Sequence, residues 1–233
     1  MADELDYLFL AAHPDDAELM CGGTIIKLGQ QGYRVGILDF TRGEAATTGS
    51  VAEREHETAA ADAILKPAWR HNLGLPDGGL QDCLEHRKPL VDAIREQRPK
   101  LIVAPWAPCR HPDHTAVHHL ARSTWFFSGN GGFPSALPPY RPRRVIYHLE
   151  HKDVRPSFVV DITDQFEAKQ QAVAAYGSQF YSGKTYIGSS EFHAMMIARM
   201  QYFGGLIGTK YGEPYIVEEM LRIDDPLANA LHG

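Results

Sequence analysis

The chain has 233 residues, 44% of them hydrophobic and 22% charged, which excludes a disordered or coiled-coil protein and predicts a single globular domain over residues 1–233. Its formal net charge of −6 gives no general attraction for nucleic acid or an anionic membrane. Three cysteines make a disulfide framework unexpected in a chain of this size, so we expect a reducing compartment, the cytoplasm. An acidic amino terminus and apolar runs well short of about 20 residues predict neither export nor membrane insertion.

Short apolar runs alternate with segments of helical period along the chain. Strands are predicted over residues 7–12, 35–40, 69–72, 101–104, 145–148 and 158–160. Helices are predicted over residues 17–31, 52–65, 83–97, 115–127, 164–175 and 191–203. This alternation is typical of a Rossmann-like, doubly wound α/β fold, a mostly parallel sheet with helices on both faces.

Three local features carry further expectations. Thr163 or Asp164 is expected to cap the helix that begins near residue 164. The Gly- and Pro-rich segment 128–143 is longer than an ordinary connection, which predicts a functional flap or an interface arm. A short strand containing Pro214 is expected at the edge of the sheet, where a missing N–H is tolerated.

Two clusters of imidazole and carboxylate side chains follow the first and the fourth predicted strands. They consist of His13, Asp15 and Asp16 in the first cluster and His111, Asp113 and His114 in the second. Because parallel strands end at one edge of the sheet, where open α/β folds bind ligands, we expect the two clusters to converge.

A catalytic zinc needs three protein ligands and an open position for water. His13, one aspartate of the first cluster and one later histidine would supply the ligands, with Fe²⁺ or Co²⁺ as alternative ions. The remaining aspartate would be the general base for the water, whose pKa zinc lowers toward about 7. His111, with Asp113 two residues on, is expected to be an oriented imidazole that donates a proton or stabilises an oxyanion.

Other interpretations compete with this one. Asp15, Asp16 and Asp113 precede helices, so each could be a helix cap. The chain could also be a nucleotide-binding oxidoreductase or transferase, or a protein in which zinc only joins two loops. The nucleotide-binding class is disfavoured because no Gly-x-Gly-x-x-Gly turn follows the first strand.

The segments His13-Pro14-Asp15-Asp16, with Gly22-Gly23 following, and His111-Pro112-Asp113-His114 resemble the motifs of the zinc-dependent N-acetylglucosaminyl deacetylase family named after LmbE and PIG-L. Further similar segments are residues 41–44, 54–55, 75–78, 161–163, 169 and 176–180. The last of these, with the glycines at 204, 205 and 208 and residues 211–214, is similar to the bacillithiol-biosynthesis branch.

The resemblance implies a hydrolase of a linear amide that deacetylates a glucosamine conjugate. N-acetylglucosaminyl-malate is the favoured substrate, and inositol, chitobiose or antibiotic-sugar conjugates are the alternatives. The resemblance also implies a homo-oligomer, in many members a hexamer. The implied Zn²⁺ ligands are His13, Asp16 and His114.

The resemblance further implies Asp15 as the base and His111, oriented by Asp113, as the acid or oxyanion partner. It implies a substrate contact for Arg54, whose alternative role is a salt bridge on the surface of its helix.

Cys109 and Arg110 precede the second motif. Arg110 is expected to contact the sugar or its substituent. Cys109 could compete for the metal or be oxidised.

Overall fold

Seven strands form one sheet in the computed structural model, which describes residues 4–150 and 154–222. The strands are β1 Tyr7–Ala11, β2 Val35–Asp39, β3 Trp69–Asn72, β4 Leu101–Pro105, β5 Arg144–His148, β6 Phe158–Asp161 and β7 Gly212–Ile216. Their order across the sheet is β3-β2-β1-β4-β5-β7-β6. Strands β1 to β5 are parallel, whereas β7 is antiparallel to both of its neighbours.

Helices pack on both faces of this sheet. They are α1 Asp16–Gln30, α2 Val51–Leu65, α3 Leu84–Gln97, α4 Pro112–Ser128, α5 Phe166–Ala174, α6 Gly177–Phe180 and α7 Ser190–Leu206. One apolar core lies between the sheet and α1, α2, α5 and α7, and a second lies between the sheet and α3 and α4. Alternate residues of β1 enter the two cores, as expected for a strand buried on both faces. The predicted doubly wound α/β fold is confirmed.

Helix α1, which carries the first polar cluster, is fixed by close contacts with distant parts of the chain. A methyl group at Gly23 would lie 2.7 Å from Ile162 Cβ, so only glycine allows this approach. The buried Glu213 of β7 accepts hydrogen bonds from the N–H groups of Gly23 (3.0 Å) and Thr24 (2.8 Å) and from Lys169 Nζ (2.6 Å). The carboxyl-terminal strand therefore holds the amino-terminal helix in place.

Strand β7 corrects the expectation of an edge strand. It lies inside the sheet, between β5 and β6, and pairs with β5 only through Tyr215 and Ile216. The Pro214 carbonyl accepts from Leu149 N–H at 3.3 Å, just beyond the end of β5. Because the N–H and C=O of one residue point to the same neighbour in an antiparallel strand, Pro214 accepts from Leu149 but has no N–H to donate in return, and the pairing with β5 ends there.

The expected cap at Thr163 or Asp164 is also wrong. Residues Thr163–Gln165 form a 3₁₀ turn ahead of α5, and Gln165 occupies the N-cap position. Thr163 instead donates its N–H and its hydroxyl to Asp161 Oδ1, at 2.9 and 2.7 Å. The polar residues here stabilise a turn between β6 and α5.

The segment 128–143 packs along α3 and near the amino end of β4. The buried Arg95 guanidinium of α3 donates to carbonyls of this segment, among them Ser128 at 3.0 Å and Leu137 at 2.9 Å. Tyr140 donates its hydroxyl to the Pro99 carbonyl, which precedes β4. The flap interpretation is wrong, because the segment supplies none of the described residues that line the cavity at the opposite edge of the sheet. The interface arm remains a prediction.

Candidate active site

The two polar clusters meet at the carboxyl ends of β1 and β4, which are neighbours in the sheet. The first cluster lies where β1 leads into α1, and the second lies where β4 leads into α4. Both border one cavity of about 400 Å³. The predicted convergence of the two clusters is therefore observed, at the point in an open α/β sheet where ligands are usually bound.

His13, Asp16 and His114 are in mutual contact. Asp16 Oδ2 lies 3.3 Å from His13 Nδ1 and 3.3 Å from His114 Nε2, and it also accepts the His13 N–H at 2.8 Å. Burial raises the pKa of Asp16, but the two imidazoles outweigh it and hold the pKa well below its usual value. Asp16 is thus a carboxylate with an imidazole nitrogen on two sides.

The outer nitrogens of both imidazoles are held by other carboxylates. His114 Nδ1 lies 2.6 Å from Glu150 Oε2. His13 Nε2 lies 3.0 Å from Asp77 Oδ1 and 3.4 Å from Asp113 Oδ2. Burial lowers the pKa of His13, yet its hydrogen bonds to three carboxylates prevail and raise the pKa to about 12. These contacts fix the ring orientations and leave His13 Nδ1 and His114 Nε2 facing Asp16.

This donor set fits a divalent cation. Five carboxylates converge here, those of Asp15, Asp16, Asp77, Asp113 and Glu150, and the Arg54 guanidinium contacts that of Asp15. Histidines that bind metals usually donate their other ring N–H to a carboxylate, as His13 and His114 do here. The ring nitrogens of His13, His111 and His114 also lie within 4.8 Å of one another, so distance alone leaves Asp16 and His111 as alternatives for the third ligand.

Asp15 adopts a strained backbone conformation beside this cluster. Its φ is 127°, a region that favours glycine, and strain of this kind often occurs at functional sites. Within the described part of the chain, the Asp15 side chain makes no capping hydrogen bond to α1. Burial raises the pKa of Asp15 to about 7, against the opposing effect of Arg54. Asp15 therefore occupies the N-cap position of α1, as the alternative expected, but it does not cap the helix through its side chain.

Arg54 is a buried residue of α2, 4% exposed. Its Nη1 donates to Asp15 Oδ2 at 2.8 Å and to the Pro14 carbonyl. The expected alternative, a salt bridge on the surface of the helix, is therefore wrong. Arg54 and the exposed Arg110 both border the cavity, so both can meet a ligand there.

His111, and not Asp113, is the N-cap of α4. His111 Nδ1 accepts the Asp113 N–H at 3.3 Å, which leaves Nε2 as the protonated nitrogen of the neutral ring. Burial and the neighbouring His114 lower the pKa of His111. The Asp113 carboxylate accepts from Gly78 N–H at 2.7 Å and contacts His13, so the expectation that this carboxylate orients His111 is wrong. Asp113 acts on His111 through its backbone.

Two acidic residues of this cluster had no role assigned from the sequence. Asp77 belongs to the segment 75–78, which resembled the family, and could have been found through that resemblance. Glu150 follows β5 by two residues, and only the rule that ligands gather beyond the carboxyl ends of strands pointed to it.

No described helix is both long enough and apolar enough to cross a membrane.

The chain thus combines a mostly parallel α/β sheet with a cavity lined by His and Asp side chains beyond the carboxyl ends of β1 and β4. The family described as PIG-L: GlcNAc-PI de-N-acetylase matches residues 8–125, which span β1 to α4 and include both polar motifs. The chain belongs to this family.

Particular relatives are similar over most of the chain. Diacetylchitobiose deacetylase of Thermococcus kodakarensis is 31% identical over 221 residues, 88% of this chain and 80% of that protein. A conserved protein of Thermus thermophilus has a crystal structure with a TM-score of 0.88 and 38% identity, covering 94% of this chain and 98% of that one. N,N'-diacetylchitobiose deacetylase of Pyrococcus horikoshii gives a TM-score of 0.80 and 30% identity, covering 91% of this chain and 82% of that one.

Proposed function

We propose that this chain is a metal-dependent hydrolase that removes the N-acetyl group from a glucosamine conjugate, with residues 1–233 forming one domain. The observation that carries the proposal is the set of contacts around Asp16. Two imidazoles with fixed outer nitrogens face one carboxylate, next to a second carboxylate, Asp15, in the same cavity. Family membership supports the same reaction class.

His13, Asp16 and His114 would hold the cation, through His13 Nδ1, an Asp16 oxygen and His114 Nε2. We favour Asp16 over His111 as third ligand because Asp16 Oδ2 already contacts both imidazoles, whereas His111 has its Nδ1 bound to a backbone N–H. Zn²⁺ is the proposed ion, with Fe²⁺ or Co²⁺ as alternatives for such a site. A bound divalent cation lowers the pKa of water and polarises an amide oxygen.

Asp15 is the proposed general base. It borders the cavity, and a pKa raised to about 7 by burial suits a group that must accept and return a proton near neutral pH. It takes a proton from the attacking water and delivers it to the leaving amine nitrogen as the C–N bond breaks. The Arg54 guanidinium, 2.8 Å from Asp15 Oδ2, keeps this carboxylate oriented. The products are acetate and the free glucosamine.

His111 is the proposed oxyanion partner. Its Nδ1 accepts the Asp113 N–H, so its Nε2–H is free to donate to the oxygen of the tetrahedral intermediate. Its lowered pKa favours this neutral donor over a protonated acid. Asp113 is a positioning residue for both His111 and His13.

The proposed substrate is an N-acetylglucosamine conjugate, and N-acetylglucosaminyl-malate remains the specific prediction. The exposed Arg110 at the cavity would bind an acidic group attached to the sugar. Relatives named for diacetylchitobiose and for an inositol-linked glucosamine support the sugar-amide class without selecting malate. A homo-oligomer, with a hexamer as one form, and a cytoplasmic location also remain predictions.

The test is to incubate zinc-loaded protein with the malate, inositol and chitobiose conjugates of N-acetylglucosamine and to measure amine release. Asp15→Asn should keep its metal and lose about 10²- to 10⁴-fold in turnover, because general base catalysis is worth that much. His114→Ala should lose the metal, and the exposed Asp164→Asn is the control for an Asp-to-Asn change. If no conjugate releases amine, or if Asp15→Asn turns over like the wild type, the proposal is wrong.

A further inference from the structure

A second group of possible metal ligands contacts the outer side of His114. Cys109 Sγ, Glu150 Oε2 and His114 Nδ1 lie within 4.8 Å of one another. Cys109 Sγ is 2.7 Å from Glu150 Oε2 and 3.6 Å from His114 Nδ1. His114 therefore has Asp16 at one ring nitrogen and a carboxylate with a thiol at the other.

The position of the thiol is fixed by its loop. Cys109 N–H donates to Thr115 Oγ1 at 3.1 Å, and Thr115 Oγ1 donates to the Cys109 carbonyl at 3.3 Å. Glu150 is 3% exposed, yet it borders the same 400 Å³ cavity as Cys109. An ion that enters this cavity can therefore reach the thiol and the carboxylate.

We propose that Cys109, Glu150 and His114 form a second, inhibitory site for a thiophilic divalent cation, namely Cd²⁺ or excess Zn²⁺. This inference goes beyond the proposed hydrolysis, in which His114 binds through Nε2, Glu150 only positions its ring and Cys109 has no role. A thiolate, an imidazole and a carboxylate form a donor set that soft divalent ions bind well. Binding releases the Cys109 thiol proton and the His114 Nδ1 proton to solvent and involves no oxidation or reduction.

Inhibition follows from the shared residues. An ion coordinated by Glu150 removes the acceptor that holds His114 Nδ1 at 2.6 Å. His114 then has a cation at Nδ1 in place of a carboxylate, and repulsion between the two cations weakens binding at Nε2, which faces Asp16. The second site is therefore expected to weaken the first one, and Asp15 is not among its ligands.

The experiment titrates zinc-loaded protein with Cd²⁺ and records the ultraviolet charge-transfer absorbance of a thiolate bound to cadmium. This band does not depend on catalytic activity, and the proposed first site contains no sulfur. Wild-type protein should develop the band as one Cd²⁺ binds per chain, and Cys109→Ser should lack it. Cys83→Ser is the matched control and should keep the band, because among the described residues Cys83 belongs to no group of three potential ligands.

Inhibition by Cd²⁺ provides the second readout, measured relative to each variant's own uninhibited rate. Even an outer partner of a metal ligand is worth about 10- to 100-fold in affinity, so loss of the thiolate should raise the Cd²⁺ concentration for half inhibition at least about 10-fold. Cys109→Ala, with folding checked by circular dichroism, gives a second variant. A thiolate band that persists in both Cys109 variants, or its absence from the wild type, would overturn the proposal.

Discussion

Replacing Glu150 by glutamine should weaken metal binding through His114. The substitution keeps the size of the side chain and removes the charge that faces His114 Nδ1 at 2.6 Å, in a place where the Glu150 side chain is 2% exposed. A hydrogen bond to a charged group contributes about 1.5 to 3 kcal/mol. Because about 1.4 kcal/mol corresponds to a factor of ten, Zn²⁺ affinity should fall about 10- to 100-fold, the range known for outer partners of metal ligands.

The assay is competition with a fluorescent chelator in buffer free of cadmium, followed by turnover at saturating Zn²⁺. Glu150→Gln should regain most of its turnover once saturated, because Glu150 acts by positioning His114. Glu96→Gln, at an exposed position of α3, is the control and should bind Zn²⁺ like the wild type. An unchanged Zn²⁺ affinity in Glu150→Gln would show that this carboxylate does not determine the orientation of His114.

Two further predictions concern stability. Lys169→Met leaves Glu213 charged and without its ammonium partner, where both side chains are 1–2% exposed, and should cost about 3 to 5 kcal/mol in urea unfolding. Lys88→Met, in a surface pair, should cost much less, and equal losses would contradict this account. Burial lowers the pKa of His148 to about 4 in the folded chain, whereas a histidine of the unfolded chain has a pKa of about 6.5. As pH falls below about 6.5, the unfolded chain binds a proton that the folded chain does not, so stability is lost down to about pH 4. The loss should reach about 2 kcal/mol near pH 5 and be absent in His148→Gln. If the free energies of unfolding of the two proteins, measured in urea, changed with pH in the same way, this prediction would be refuted.

The fold could be predicted because its parallel strands and long helices have strong local patterns. All five residues of β2 are buried, and the run Val35-Gly36-Ile37-Leu38 with which the strand begins is readable without tertiary information. The position of β7 could not be predicted in the same way. Its place between β5 and β6 depends on which neighbours it pairs with, and Pro214 misleads because its missing N–H falls where the pairing with β5 ends.

The convergence of the two polar motifs was predictable for the same reason, since β1 and β4 end at one edge. The finer contacts were not. Asp113 is two residues from His111 in sequence, yet its carboxylate reaches toward Gly78 and His13 because His111 occupies the N-cap of α4. The spacing of residues in the sequence indicates which groups lie near one another. The direction of each side chain depends on where the helix begins, and only the folded backbone defines that position.

The bond between Glu213 and α1 has a consequence for biosynthesis. The helix that carries Asp16 is anchored by a residue 190 positions after Gly23, through the N–H groups of Gly23 and Thr24. Domains fold as units while the ribosome releases them from the amino end. A nascent chain that lacks residue 213 would therefore display its first motif on an unanchored helix, and the cavity would become competent only once residue 213 has left the ribosome.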